Sequence, residues 1–202
     1  MHIPAGETSE QNILSFEEAL HTHEANVSYD RKKWLYVPDF YSEYRYILGT
    51  YGEKPLITVG INPSTAEPDR LDNTLKSVER IALGNGFDSF IMFNVYAQRA
   101  TNPDTMDRIF HPSLHEENMK AFRYCLKRSH AAPVIWAAWG AIIEKRDYLK
   151  ACVRDMAVIA EEYGARWVKA GKLSVKGHPH HPLYLQKDSK LENFDIKNYL
   201  IF

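Results

Sequence analysis

The sequence predicts an α/β fold: a three-layer αβα sandwich with a central, mainly parallel sheet of four to five strands. Two observations carry that prediction. Leu56-Ile57-Thr58-Val59-Gly60-Ile61, Phe90-Ile91-Met92-Phe93-Asn94-Val95 and Pro133-Val134-Ile135-Trp136-Ala137-Ala138-Trp139 are almost continuously apolar. Segments of helical periodicity separate them. Strands buried on both faces belong in a parallel sheet covered by helices on both sides. Right-handed crossovers then gather the strand-to-helix loops at one sheet edge, where ligands bind in open α/β folds.

Each element follows in chain order. Residues 1–33 are polar and read as an N-terminal appendage, partly mobile. Residues 34–202 read as a single α/β domain. Within the appendage, Ser15 followed three residues later by Glu18 is a capping box for a short helix. Tyr44-Arg45-Tyr46-Ile47-Leu48-Gly49 alternates loosely, and Tyr51-Gly52-Glu53-Lys54 has turn composition. Together they predict a hairpin leading into the first core strand. Asp72-Asn73-Thr74 can cap a helix to about residue 83, with Leu75, Val78, Ile81 and Ala82 on one face. Gly84 and Gly86 end it. Helices are expected at about 113–127 and 143–163, and a last strand at about 172–175.

Composition narrows the function classes. Apolar residues make up 45% and charged residues 25% of 202 residues, ordinary values for a globular chain. The formal net charge of -1 gives no global attraction to nucleic acid or anionic membranes. Cys125 and Cys152 suit no disulfide framework or Cys-x-x-Cys zinc site, so buried reduced thiols are expected. MHIPAGETSEQN is polar, which predicts no signal peptide, and no apolar run is long enough to span a bilayer. Cytoplasmic residence and no membrane partner are the expectation. No P-loop, Gly-x-Gly-x-x-Gly, Gly-x-Ser-x-Gly or His-Glu-x-x-His motif occurs. No cofactor and no metal are expected.

Polar residues at the strand ends are the site candidates. Pro63 biases Asn62 toward an extended backbone, holding its amide rigidly at the sheet edge. There it can orient a water or hold a base; a plain Asn-Pro turn is the alternative. Asn94 ends an apolar run, and a buried amide there needs hydrogen bonds from a neighbouring loop or from a ligand. Arg99, five residues on, can reach an anion or sit on the surface. Residues 178–184 hold three His and two Pro. Imidazoles there can donate a hydrogen bond or a proton near neutral pH. Trp139 reads as core before stacking platform, and Asp72 as a cap before a catalytic acid.

Together these motifs resemble the domain-of-unknown-function family numbered 1643. The resemblance lies in Asn62-Pro63-Ser64-Thr65-Ala66, Asp72-Asn73-Thr74, Asn94 with Tyr96 and Arg99-Ala100-Thr101, Ala138-Trp139-Gly140, and Gly177-His178-Pro179 with His181-Pro182-Leu183-Tyr184. It covers roughly residues 44 to 185 and names no activity. A more distant resemblance is to the uracil-DNA glycosylase superfamily. Gly60-Ile61-Asn62-Pro63 is similar to that superfamily's mismatch-specific branch. Asn94 with Arg99, Ala138-Trp139-Gly140, and His178-Pro179 with Pro182-Leu183 are similar to its classical branch. The histidine loop is one residue longer than in that branch, with His180-His181 in place of a serine.

The glycosylase resemblance implies that fold, and hydrolysis or transfer at the N-glycosidic bond of a nucleobase in DNA or in a nucleotide. It implies catalytic roles for Asn62, which would orient the attacking water, and for His178, which would stabilise the departing base. Ser64, Asn94, Tyr96, Arg99, Trp139, His181 and Leu183 are the candidate substrate-binding residues, although Ser64 and His181 stand where those branches carry other residues, and a nucleobase-containing ligand, DNA included, is the implied partner. Two other readings stand beside it: a non-catalytic nucleobase, nucleotide or nucleic-acid binding module of the same fold, and a hydrolase of unrelated chemistry on the histidine loop.

Overall fold

The computed structural model describes residues 12–129 and 131–201. Four strands run parallel: β3 (Pro55–Gly60), β4 (Ser89–Asn94), β5 (Val134–Ala137) and β6 (Arg166–Ala170). Three antiparallel strands flank them: β1 (Trp34–Val37) and β2 (Ile47–Thr50) beside β4, and β7 (Leu191–Asn193) beside β6. The order is β1-β2-β4-β3-β5-β6-β7. The sheet is therefore seven-stranded and mixed, a correction to the expected four to five mainly parallel strands.

Physical reasons account for the differences. No hairpin joins the 44–49 segment to the first core strand, because β2 pairs with β4 and with β1 while β3 lies on the far side of β4. The last parallel strand is 166–170, not 172–175. Its exposed Arg166 and half-buried Lys169 hide the strand signal, and Gly171, at φ +69°, turns the chain immediately after it. The expected 143–163 helix begins as a 3-10 turn at Gly140–Glu144 and becomes regular only as α4 (Tyr148–Glu162). Strand β7 and the C-terminal helix α5 (Ile196–Ile201) are three and six residues long, too short to show a periodicity in the sequence.

Both sheet faces are covered, as strand alternation requires. On one face, α2 (Asn73–Gly84) packs Leu75, Val78, Ile81 and Ala82 against Leu48, Leu56, Phe90, Met92 and Trp136. The other face holds α3 (Pro112–Lys127) and α4, with Phe122, Cys125, Val153 and Met156 against Ile57, Val59, Ile91, Phe93 and Ile135. Helix α1 (Phe16–Leu20) closes this second core. Ser15 and Glu18 form the expected capping box, and Phe16 meets the Tyr46 ring edge-on at 6.0 Å. Residues 1–11 of the appendage, expected to be mobile, lie outside the described residues. Both cysteines are buried and free, and burial raises both thiol pKa values, that of Cys152 to about 12.

Strand order sets the site. The connection from β3 crosses by α2 to β4, and the connection from β4 returns by α3 past β3 to β5. Chain direction thus diverges on either side of β3. The resulting crevice lies at the carboxyl ends of the parallel strands.

Candidate functional site

The loops leaving β3 and β4 stay paired beyond the sheet. Val95 N–H donates to Gly60 O (2.8 Å), Tyr96 N–H to Ile61 O (2.9 Å) and Ala100 N–H to Pro63 O (2.9 Å). This clamp fixes Asn62. Its Nδ2 donates to Ala100 O at 2.7 Å and to Pro63 O at 3.0 Å, so both donors are spent and Oδ1 is the group left to accept. Beside it lies a cleft of about 210 Å³, lined by Arg45, Gly60, Asn62, Ser64, Asp72 and His181 among others.

Asn94 stands at the end of β4, in register with Gly60. It is 1% exposed, and neither carboxamide atom has a hydrogen-bond partner among the described residues. Its backbone, in contrast, is pinned: Asn118 Nδ2 donates to its carbonyl at 3.0 Å. A Cβ built on Gly60 would stand 3.3 Å from Asn94 Oδ1 and 2.5 Å from Met92 Cε. Gly60 and Met92 both line the cleft. The absent side chain of Gly60 therefore leaves only the flexible end of Met92 between the cleft and the Asn94 amide.

Arg45 lines the cleft, and Arg99 stands behind it. Arg45, 1% exposed, leaves the chain between Tyr44 and Tyr46 and donates to Ala66 O at 3.0 Å. Arg99, 5% exposed, donates to the carbonyls of Ser64 and Ala66 and to the Tyr36 hydroxyl (2.9 Å), and its guanidinium lies 4.1 Å above the Tyr41 ring. The Nε of each has no partner, and neither arginine reaches a carboxylate among the described residues. Burial, and then the charge of Arg99, push the Arg45 guanidinium down to about 9, still protonated at neutral pH.

Asp72 caps α2, accepting from Leu75 N–H at 2.9 Å, and also lines the cleft. His181 opens the 3-10 turn Pro182–Tyr184, whose Pro182 carbonyl accepts from Ser77 Oγ of α2 at 2.9 Å. Leu183 N–H donates to His181 Nδ1 at 3.4 Å, which assigns the proton of the neutral ring to Nε2. Burial lowers the His181 pKa and the Asp72 charge opposes this, so the ring is neutral at pH 7.

The other sequence candidates divide clearly. Asn62, Ser64 and His181 line the cleft, Asn94 stands behind Gly60, and Arg99 backs Ser64. His178 does not join them. Trp139 Nε1–H donates to the Tyr199 hydroxyl (3.0 Å), which donates to His178 Nδ1 (2.9 Å), leaving His178 Nε2–H to donate to Glu144 (3.1 Å). Lys176, and then His178, hold the Glu144 carboxyl down to about 2. His178 thus lines a second cavity of about 630 Å³ with Glu144, Lys176 and Tyr199. Trp139 and Tyr96 are core residues: Trp139 packs on Trp167 and Phe194, and Tyr96 bonds Asp107 (3.1 Å) and packs on Tyr148. Leu183 lies at the surface, 47% exposed.

Sequence reasoning missed Arg45 and ranked the capping role of Asp72 above a catalytic one. The signal for Arg45 was a cation inside an alternating aromatic run, Tyr44-Arg45-Tyr46, that buries its neighbours. Among the described residues, no three His, Cys, Asp or Glu side chains converge to hold a metal ion, and no helix is long and apolar enough to cross a membrane.

The sequence model of the family described as Protein of unknown function (DUF1643) matches residues 45–183, which include every cleft residue named above. The chain belongs to that family. No curated protein and no solved structure matches it.

Proposed function

We propose that this member of the DUF1643 family binds a nucleobase at the Asn94 amide and hydrolyses, or transfers at, its N-glycosidic bond. The observation that carries this reading is the buried Asn94 carboxamide behind Gly60, with both polar atoms unpaired among the described residues. An unpaired buried polar group costs roughly 1–3 kcal/mol. A carboxamide offers a donor and an acceptor side by side, matching the edge of a base. A base that supplies both partners recovers that cost on binding.

The cleft supplies the remaining roles. Asn62 Oδ1 accepts a hydrogen bond from a water and directs its lone pair at the anomeric carbon. As that C–O bond forms, the C–N bond breaks, and its electron pair leaves with the base. Asp72 takes the water proton. His181 Nε2–H donates to the departing base nitrogen, the role that the glycosylase resemblance gave His178, whose two ring nitrogens are committed to Tyr199 and Glu144. The cleft volume is below the about 300–1,000 Å³ of drug-sized sites, which suits one small nucleoside or nucleotide or one base extruded from a strand. A second reading, binding without chemistry, is favoured by one observation: Asp72 already spends one carboxylate oxygen as the α2 cap.

Incubation with bases, nucleosides, nucleotides and short uracil- or mismatch-containing DNA, followed by product analysis, tests the reading. Wild type is expected to release a base, and Asn62→Ala to be slower by about 10²-fold, since the water loses its orientation. A ligand that binds and is recovered unchanged moves the site to the binding reading. A folded protein that binds nothing in the panel contradicts both.

Gly60→Ala is the companion variant. The new methyl stands in front of Asn94 and displaces the flexible end of Met92. It is expected to abolish the ligand-induced rise in Tm and to cost the ligand-free protein about 1–3 kcal/mol of overpacking. An unchanged ligand response in Gly60→Ala would place the ligand elsewhere.

A further inference from the structure

We infer that the same cleft holds a terminal phosphate on Arg45, with Arg99 behind it, so that its ligand is a nucleoside monophosphate rather than a free base or nucleoside. The nucleotide part rests on the proposed base site; the anion subsite stands on the arginines alone.

Buried charges are normally paired, because an uncompensated one forfeits its hydration. Arg45 and Arg99 are buried side by side, yet their partners are the neutral carbonyls of Ser64 and Ala66 and the Tyr36 hydroxyl. Asp72, the one carboxylate lining the cleft among the described residues, is engaged by Leu75 N–H and forms no ion pair with Arg45. One positive charge therefore stands at the cleft with a second behind it, neither ion-paired among the described residues, and each retains an Nε–H with no partner among them. Guanidinium matches the geometry of phosphate oxygens. The charge count favours a phosphate monoester, which carries about −1.5 to −2 at pH 7, over a phosphodiester, which carries one. The N-terminal turn of α2, from which Thr74 lines the cleft, adds its positive dipole end.

Thermal-shift titrations of the full chain test this, with sodium phosphate, sodium chloride at matched ionic strength, a nucleoside, its 5′-monophosphate and a single-stranded oligonucleotide. Phosphate is expected to raise Tm where chloride does not, and the monophosphate to bind at least about tenfold tighter than both the nucleoside and the oligonucleotide. Arg45→Met is expected to leave the Tm of the ligand-free protein unchanged or raised, to abolish the phosphate response, and to equalise nucleotide and nucleoside. A purely structural Arg45 would instead lower that Tm. If Arg45→Met does not fold, Arg45→Lys must weaken the phosphate response about tenfold; a response of wild-type strength overturns the inference. Equal affinity for nucleoside and monophosphate in wild type overturns the anion subsite and leaves the base site standing. A phosphate response with no preference for any base overturns the base site and leaves the anion subsite. A preference for the oligonucleotide assigns the arginines to a strand backbone and overturns the monophosphate.

Discussion

Asn94→Leu is expected to make the ligand-free protein more stable and to weaken base binding by about 10- to 100-fold. The two effects have one cause. Asn94 is fully buried with neither amide atom paired among the described residues, so a leucine, which has the same branched shape though bulkier methyl ends, removes two desolvated polar atoms, a gain that outweighs its modest overpacking. The gain is expected to be about 1–2 kcal/mol, or several degrees in Tm for a chain of this size. The loss on binding follows from the removed donor–acceptor pair, for which about 1–3 kcal/mol is typical of bidentate base recognition. Denaturant unfolding reads the first effect and calorimetric titration the second. A less stable variant with unchanged binding would make Asn94 an ordinary structural amide.

Trp139→Ala is expected to cost about 3–5 kcal/mol, the largest stability effect among the candidate residues. Its ring packs against Trp167, Phe194 and Tyr199, and its N–H starts the chain of hydrogen bonds through Tyr199 and His178 to Glu144. Such a loss takes a large share of the 5–15 kcal/mol typical of a domain. Trp139→Phe, which keeps most of the ring contact and drops the donor, is the variant for ligand titration. It is expected to bind as wild type does. Lost binding in a stable Trp139→Phe would return Trp139 to the role of a stacking platform.

The parallel core was legible because strands buried on both faces leave unbroken apolar runs: 55–60, 89–94 and 134–137 lie within one or two residues of the expected strands. The cap at Asp72 and the stop after Gly84 were legible from local chemistry alone. The edges were not. Strand β6 shows no clean alternation and includes exposed Arg166 and half-buried Lys169, and β7 is three residues long, so pairing rather than pattern makes them strands. Gly60, Asn62, Ser64 and His181 were legible as a group because the parallel topology brings the loops after β3 and β6 together. Which histidine of the 178–184 loop faces that cleft was not legible. Gly177 turns the chain at φ +81°, His178 is drawn toward Tyr199 and Glu144, and His181 is set by Leu183 and the α2 anchor. Those choices depend on α5 and the 140–144 turn, elements far away in sequence.

The side-chain amide resonance of Asn94, assigned by its loss in Asn94→Leu, gives the most direct test of the central claim. Titration of the ¹⁵N-labelled protein with a nucleoside monophosphate is predicted to shift that Nδ2 signal in step with saturation, because the base edge pairs with the carboxamide. A nucleotide that binds elsewhere in the spectrum and leaves this resonance unmoved would contradict the account.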